Sequence, residues 1–250
     1  MVPALEILAV LGVGIVAGTM NTVVGSGSLV TFPTLLAFGF PALVANVSNT
    51  LGLVPGNVSG VVAYRRELSG QGRRVAMLGA MSALGGTAGA LLLLALPGSV
   101  FHRVVPWLVL LACVLVAVQP RVARWLESRG TRRAHGGPVL HLSVLATGVY
   151  GGYFGAAQGV VLVALLGISI EDTLQRLNGA KNVLAALANG SAAIVFLAES
   201  HISYEAAGLI AAGSVVGGQV GGLVGRRLRP QLLRAIIVAV GLVATITLLA

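Results

Sequence analysis

The sequence predicts an all-α polytopic membrane protein, and composition, charge placement and an internal echo carry that prediction. Of 250 residues, 56% are hydrophobic and 9% charged, with a mean hydropathy of +0.96; soluble domains are roughly 25% charged. The charges are clustered, leaving uncharged runs at 7–64 and 75–101, each longer than the ~20 residues that a helix needs to cross the hydrocarbon core. The polar stretch Asn46–Ser59 returns in the second part of the chain as Asn178–Ser191, which points to two related halves.

The net charge of +9 comes from arginines in short loops beside apolar segments. That is the placement of topology signals rather than of a nucleic-acid surface, so the expected partner is the lipid bilayer and not nucleic acid. The single cysteine, Cys113, excludes an intramolecular disulfide and a cysteine-rich metal site. With Glu6 and no basic residue ahead of its first apolar run, the N-terminus is expected to be a retained membrane segment rather than a signal peptide.

In chain order, residues 3–20 are apolar, with Gly14 and Gly18 four apart, a small-xxx-small face suited to close helix packing. The stretch Asn21-Thr22-Val-Val-Gly25-Ser26-Gly27-Ser28 should break that helix, because glycine and short polar side chains favour non-helical backbone. An apolar piece at 29–39 follows, then the span 43–64. That span carries Asn46, Asn49 and Asn57 at separations that put all three near one helix face. Pro55-Gly56 is expected to kink it. Beyond the arginine-rich loop 65–74 come spans at 75–96 and 104–119. The loop 120–138, with five arginines, divides the chain into an N-terminal membrane repeat (1–119) and a C-terminal one (139–250). The second half repeats the plan. A glycine-rich break at 151–159 contains Gln158 and Gly159, apolar segments reach 168 and 175–198, and spans at 205–225 and 233–249 are separated by further arginines.

Placing 46–96 on 178–228 without a gap gives eleven identities in 51 positions, including Asn46/Asn178, Asn57/Asn189, Ser59/Ser191, Ser82/Ser214 and Gly85/Gly217. Eight of the eleven fall on polar and glycine positions, which compositional bias explains least. Loops 65–74, 120–138 and 226–234 are basic, whereas 199–204, the counterpart of 65–74, has no lysine or arginine. Equivalent loops therefore belong on opposite sides, and the expected architecture is two inverted-topology repeats with glycine-broken or re-entrant helices. A parallel duplication of four spans per half is the alternative.

Lys181 is the only lysine in the chain. It lies in an apolar stretch, where a charge costs ~2.5–3.5 kcal/mol on insertion scales and marks a functional position; snorkelling toward Arg176 is the plain alternative. The asparagines Asn46, Asn49, Asn57, Asn178, Asn182 and Asn189 could equally bind substrate or join helices. The glycine-rich turns resemble phosphate loops but lack the Lys-Ser/Thr pair of a nucleotide site, and no cofactor is expected. The seven carboxylates all sit near predicted segment ends or loops, whereas a cation exchanger would be expected to carry one mid-span. The four histidines are scattered without metal-ligand spacing. No nucleophile–base pair points to an enzyme.

The elements Gly14-xxx-Gly18, Asn21-Thr22-xx-Gly25-xx-Ser28, Phe32-Pro33, Pro41 and Ala45-Asn46-xx-Asn49-Thr50 resemble the first half of the sulfite exporter TauE/SafE family. Gly151-Gly152-xx-Gly155 and Asn178-Gly179-x-Lys181-Asn182 resemble its second half. The resemblance implies a multi-pass inner-membrane permease for a small anion such as sulfite, a sulfonate or another organosulfur anion. A departure is the run Gly155-Ala-Ala-Gln158-Gly159, which lacks a hydroxyl residue.

The expectation is a secondary anion transporter with a midplane site between the repeats. Asn21, Thr22, Gly25, Ser26, Asn46, Asn49, Asn57, Gln158, Gly159, Asn178, Lys181, Asn182 and Asn189 are its candidate ligands. The alternatives are a membrane scaffold without a transport cycle and a cation-coupled carrier of a neutral solute. The sequence leaves open whether the chain forms a homo-oligomer.

Overall fold

A computed structural model describes residues 4–127, 137–224 and 230–249. Among these residues all regular structure is helical, in ten helices: α1 (Ala4–Val23), α2 (Ser28–Ala37), α3 (Ala42–Ala63), α4 (Gly72–Ala95), α5 (Gly98–Glu127), α6 (Pro138–Tyr153), α7 (Gln158–Ser169), α8 (Leu174–Glu199), α9 (Tyr204–Val224) and α10 (Pro230–Leu249). Arg129, Arg132 and Arg133 of the dividing loop, and Arg226, Arg227 and Arg229, lie outside the described residues.

Five of the helices are long and apolar enough to cross a membrane: α1, α4, α5, α8 and α9. Helix α3 has the length, but its three asparagines, two serines and proline lower its mean hydropathy. It runs unbroken through Pro55. Helix α5 starts at Gly98, before the expected 104, and passes Pro106 and Pro120 to Glu127, well into the stretch read as linker. Helices α2 and α7, with 10 and 12 residues, rise only ~15–18 Å at 1.5 Å per residue, short of a full crossing.

Glycines set the packing. A Cβ on Gly217 would stand 2.1 Å from the Ile15 carbonyl oxygen, and one on Gly89 2.1 Å from that of Val149, so α1 lies backbone to backbone on α9, and α6 on α4. The contacts advance together along both chains (Gly14 with Gly213, Gly18 with Ser214; Ser82 with Gly148, Gly86 with Gly152), so each pair runs parallel. Helix α3 also packs along α9, and α8 along α4. Serine hydroxyls fasten these pairs in duplicate. Ser214 donates to the Gly52 carbonyl (3.0 Å) and Ser82 to that of Leu184 (2.8 Å); Ser59 donates to Val215 (2.7 Å) and Ser191 to Ala83 (2.8 Å). In each duplicate both donor and acceptor are exchanged for their counterparts in the ungapped alignment of the halves. Two further pairings, α3 with α8 and α5 with α10, join counterpart helices.

One end of the bundle carries the polar contacts of the 64–71 connection. Arg74 pairs with Asp172 (2.6 Å), and Arg176 pairs with the same carboxylate (2.7 Å) and donates to the Ser69 carbonyl (3.0 Å). Gln71 donates to the backbone of Glu67 and Arg176. Burial opposes ionisation of Asp172, but hydrogen bonds from Arg74 and the Thr173 N–H, with the Arg176 and Arg74 charges, outweigh it and hold the carboxyl below the usual aspartate range. At the other end the linkers 38–41, 96–97 and 200–203 contain no lysine or arginine, and the Ser203 N–H donates to Ser48 Oγ (2.9 Å).

Two outcomes follow for purified protein in detergent. Gly217→Ala should destabilise by about 1–3 kcal/mol through backbone overpacking, whereas Gly208→Ala in the same helix, with nothing within 4 Å of the new methyl, should be neutral or stabilise by up to ~1 kcal/mol; thermal midpoints read the contrast. The Asp172 contribution, from a depressed carboxyl, is fully present above the unfolded-state aspartate range and is lost as pH falls through the lower folded value. Asp172→Asn should therefore lower the midpoint at neutral pH and flatten its fall on acidification, and an unchanged acid limb would count against the triad.

Candidate functional site

The site is built where two helices stop inside the bundle. Between α1 and α2, and between α6 and α7, the chain turns through Gly25 (φ 89°) and Gly155 (φ 78°), a left-handed conformation that glycine adopts without steric cost. The separation in sequence between these two glycines equals that between the first residues of α2 and α7, so the hairpins are counterparts. They meet at their turns. The Gly159 N–H donates to the Gly25 carbonyl at 3.1 Å, and a Cβ on Gly25 would lie 2.4 Å from the Gly159 Cα. Nothing larger than hydrogen fits there. Phe32 of α2 meets Phe154 edge to face at 5.3 Å, and Phe101 packs on Phe154 and Tyr153, flooring the contact with aromatic surface.

A helix end leaves its last carbonyls without intrahelical partners, and these ends are away from water. Met20 O is satisfied by the N–H groups of Val24 and Gly25, and Tyr150 O, its counterpart, by those of Phe154 and Gly155. The next carbonyls are reached from the opposite half. Lys181 Nζ donates to Asn21 O and Thr22 O, both at 2.9 Å, and Asn46 Nδ2 donates to Tyr153 O at 3.0 Å. Lys181 is wholly buried: it does not snorkel but places its ammonium on the negative end of the α1 dipole.

The other candidates divide by partner. Asn49, the counterpart of Lys181, donates to Ser28 Oγ (3.1 Å) and accepts from Thr31 Oγ1, tying α3 to α2. Asn57 Oδ1 accepts from Asn21 Nδ2, and Asn21 Oδ1 accepts from the Gly27 N–H. Thr22 Oγ1 lies against Gly60, and Asn189 Oδ1 lies near Gly155. Asn178 is buried one turn before Lys181, and among the described contacts nothing ties it to the turns. Several buried atoms keep no protein partner: Ser26 Oγ, Asn57 Nδ2, Asn182 Nδ2, Asn46 Oδ1 and both amide atoms of Gln158. Most of them belong to groups that donate.

Sequence reasoning missed Ser28, Thr31 and the Tyr153 carbonyl. It counted Ser59/Ser191 and Ser82/Ser214 among the repeated residues without giving them a role, although that repetition was the signal. Among the described residues no group of three or more His, Cys, Asp or Glu stands together as metal ligands. An apolar cavity of about 610 Å³ lies between α2 and α10, lined by Pro33, Thr34, Leu36, Val240 and Val243 among others, and includes none of the candidate residues.

Comparison with known proteins identifies the family. The family described as sulfite exporter TauE/SafE matches residues 10–248. The probable membrane transporter protein YfcA of Escherichia coli strain K12 is 26% identical over 95% of this chain and 87% of its own length. A probable membrane transporter protein of Haemophilus influenzae is 26% identical over 87% and 84%, and the probable membrane transporter protein ORF9 of a Sinorhizobium species is 27% identical over 99% and 94%. No solved structure matches. With a family match over nearly its whole length and a helical bundle of membrane-crossing dimensions, the chain is a multi-pass membrane protein and belongs to the sulfite exporter TauE/SafE family of transporters.

Proposed function

We propose that the protein is a secondary transporter of a small anion across the inner membrane, sulfite, a sulfonate or a related organosulfur anion, binding it where the two glycine turns meet. The observation that carries this is the set of buried polar groups without protein partners on the turns and the long helices beside them: Ser26, Asn57, Gln158 and Asn182. The Lys181 side chain passes the same turns: its Cδ is 3.0 Å from where a Gly159 Cβ would stand, and its ammonium sits on the Asn21 and Thr22 carbonyls. A small anion gives up its hydration shell only to several preorganised donors, and this centre is rich in them. The family and the names of its relatives support transport without chemical conversion of the substrate.

The mechanism is alternating access by two inverted repeats, 1–119 and 139–250, whose hairpins α1–α2 and α6–α7 re-enter the membrane from opposite faces. The counterpart helices α3 and α8 run antiparallel, with Ser69 and Gln71 after α3 meeting Arg176 at the start of α8 and Ser203 after α8 meeting Ser48 near the start of α3, which supports the inversion. The 64–71 end, with Arg65, Arg66, Arg73 and Arg74, is the cytoplasmic one. Each broken helix is held by a donor from the other repeat, Lys181 for α1 and Asn46 for α6, so rocking one repeat against the other moves both turns at once. A scaffold without a transport cycle would use the paired asparagines and Lys181 as found, but gives no use to the unpartnered amides.

Reconstituted in proteoliposomes, the wild-type chain should carry members of a small-anion panel. Lys181→Met, which keeps the stem but leaves two carbonyls uncapped and removes the charge, should lower that flux on the order of 100-fold, since each lost charge-assisted bond is worth about 1.5–3 kcal/mol. Undiminished flux in the variant would remove Lys181 from the site. Cysteines placed at Gly70 and Ile202 should be labelled from opposite sides of the membrane; labelling from one side would overturn the inversion.

A further inference from the structure

Resting on the proposed anion site, we infer that the seat at Gln158 selects an oxyanion that carries its own hydrogen-bond donor, a monoprotonated oxyanion such as hydrogensulfite, over an aprotic anion of the same charge.

The inference comes from a difference between the two hairpins. In the first, Asn21 projects from α1 and both atoms of its amide are engaged, Nδ2 with Asn57 and Oδ1 with the Gly27 N–H. The counterpart of Asn21 in the second hairpin is Gly151, which has no side chain. The space is taken by the amide of Gln158, the first residue of α7. A Cβ on Gly151 would stand 2.3 Å from Gln158 Nε2 and 2.5 Å from Oε1. The same place in the fold therefore holds an amide in both halves, saturated in one and open at both atoms in the other. Gln158 is 2% exposed and adjacent in sequence to Gly159, where the turns touch, at the N-terminal end of α7.

An open amide offers one donor and one acceptor, whichever way it is turned. An aprotic anion satisfies the N–H and leaves the carbonyl oxygen facing negative charge. An anion bearing an O–H engages both, accepting from Nε2 and donating to Oε1. The Lys181 side chain, whose Cδ lies 3.0 Å from where a Cβ on the adjacent Gly159 would stand, brings a positive charge to the neighbouring turn. A buried polar group left unpaired by the wrong ligand is a strong source of discrimination. The run Gly155-Ala-Ala-Gln158, without a hydroxyl residue, thus keeps a polar contact through the glutamine.

The test compares hydrogensulfite with methanesulfonate, an aprotic monoanion, at one mildly acidic pH in proteoliposomes of the full chain. Wild type should favour hydrogensulfite by ~10-fold or more. Gln158→Met, similar in length and without the amide, should bring the ratio to about one. A glutamine that only fills space predicts equal loss for both anions in Gln158→Met, so an unchanged ratio there overturns the seat, as does a wild type without preference. Flux without preference overturns the seat alone; no flux of any anion overturns the proposed function with it.

Discussion

A helix that stops in the middle of a membrane protein exposes carbonyls where no water can reach them, and the rest of this structure is arranged around meeting that demand. Carbonyls at the ends of α1 and α6 take bonds from turn N–H groups or from side chains of the opposite half. The longest reach falls to Lys181, whose ammonium spans two of them. Leaving even one such group unsatisfied costs about 1–3 kcal/mol, so the hairpins hold their form only while both halves are engaged. That obligation couples the halves more tightly than apolar contact, which discriminates little between a neighbouring helix and lipid.

Close packing makes the reach short enough. Where α1 meets α9, and α6 meets α4, glycines bring backbones into direct contact, and serine hydroxyls donate across the long-helix pairs to carbonyls of the neighbouring helix. The turns obey the same rule, with Gly25 and Gly159 so near that a methyl group on either would enter the other's backbone. Rigid helices packed at this density move as bodies rather than deform, which suits the proposed cycle of one half rocking against the other.

The halves are alike in frame and unlike in chemistry. Asn49 and Lys181 are counterparts, yet the first binds its own hairpin and the second binds the other's. Asn21 and Gly151 are counterparts, yet only the first has an amide, and Gln158 fills the second place from a different helix. A symmetric scaffold therefore carries an asymmetric set of polar contacts.

Much of this was legible in the sequence. Uncharged runs specified membrane helices because a charge is costly in hydrocarbon, and the glycine clusters marked both turns because glycine takes left-handed backbone without steric cost, although the second turn adds Ala157 at φ 58°. The ungapped match between the two polar stretches paired the long helices, and the lone lysine stood out by its surroundings. Partners were not legible. Local pattern says that Asn46, Asn49 and Asn57 share a face, but that face meets α6, α2 and α1 in turn, and only packing assigns one asparagine to each. The sequence suggested that Lys181 would face an anion, and only the tertiary structure decided that its ammonium first caps a broken helix. The carbonyls it meets lie in the opposite half of the chain and come within 2.9 Å only when the two halves close on each other.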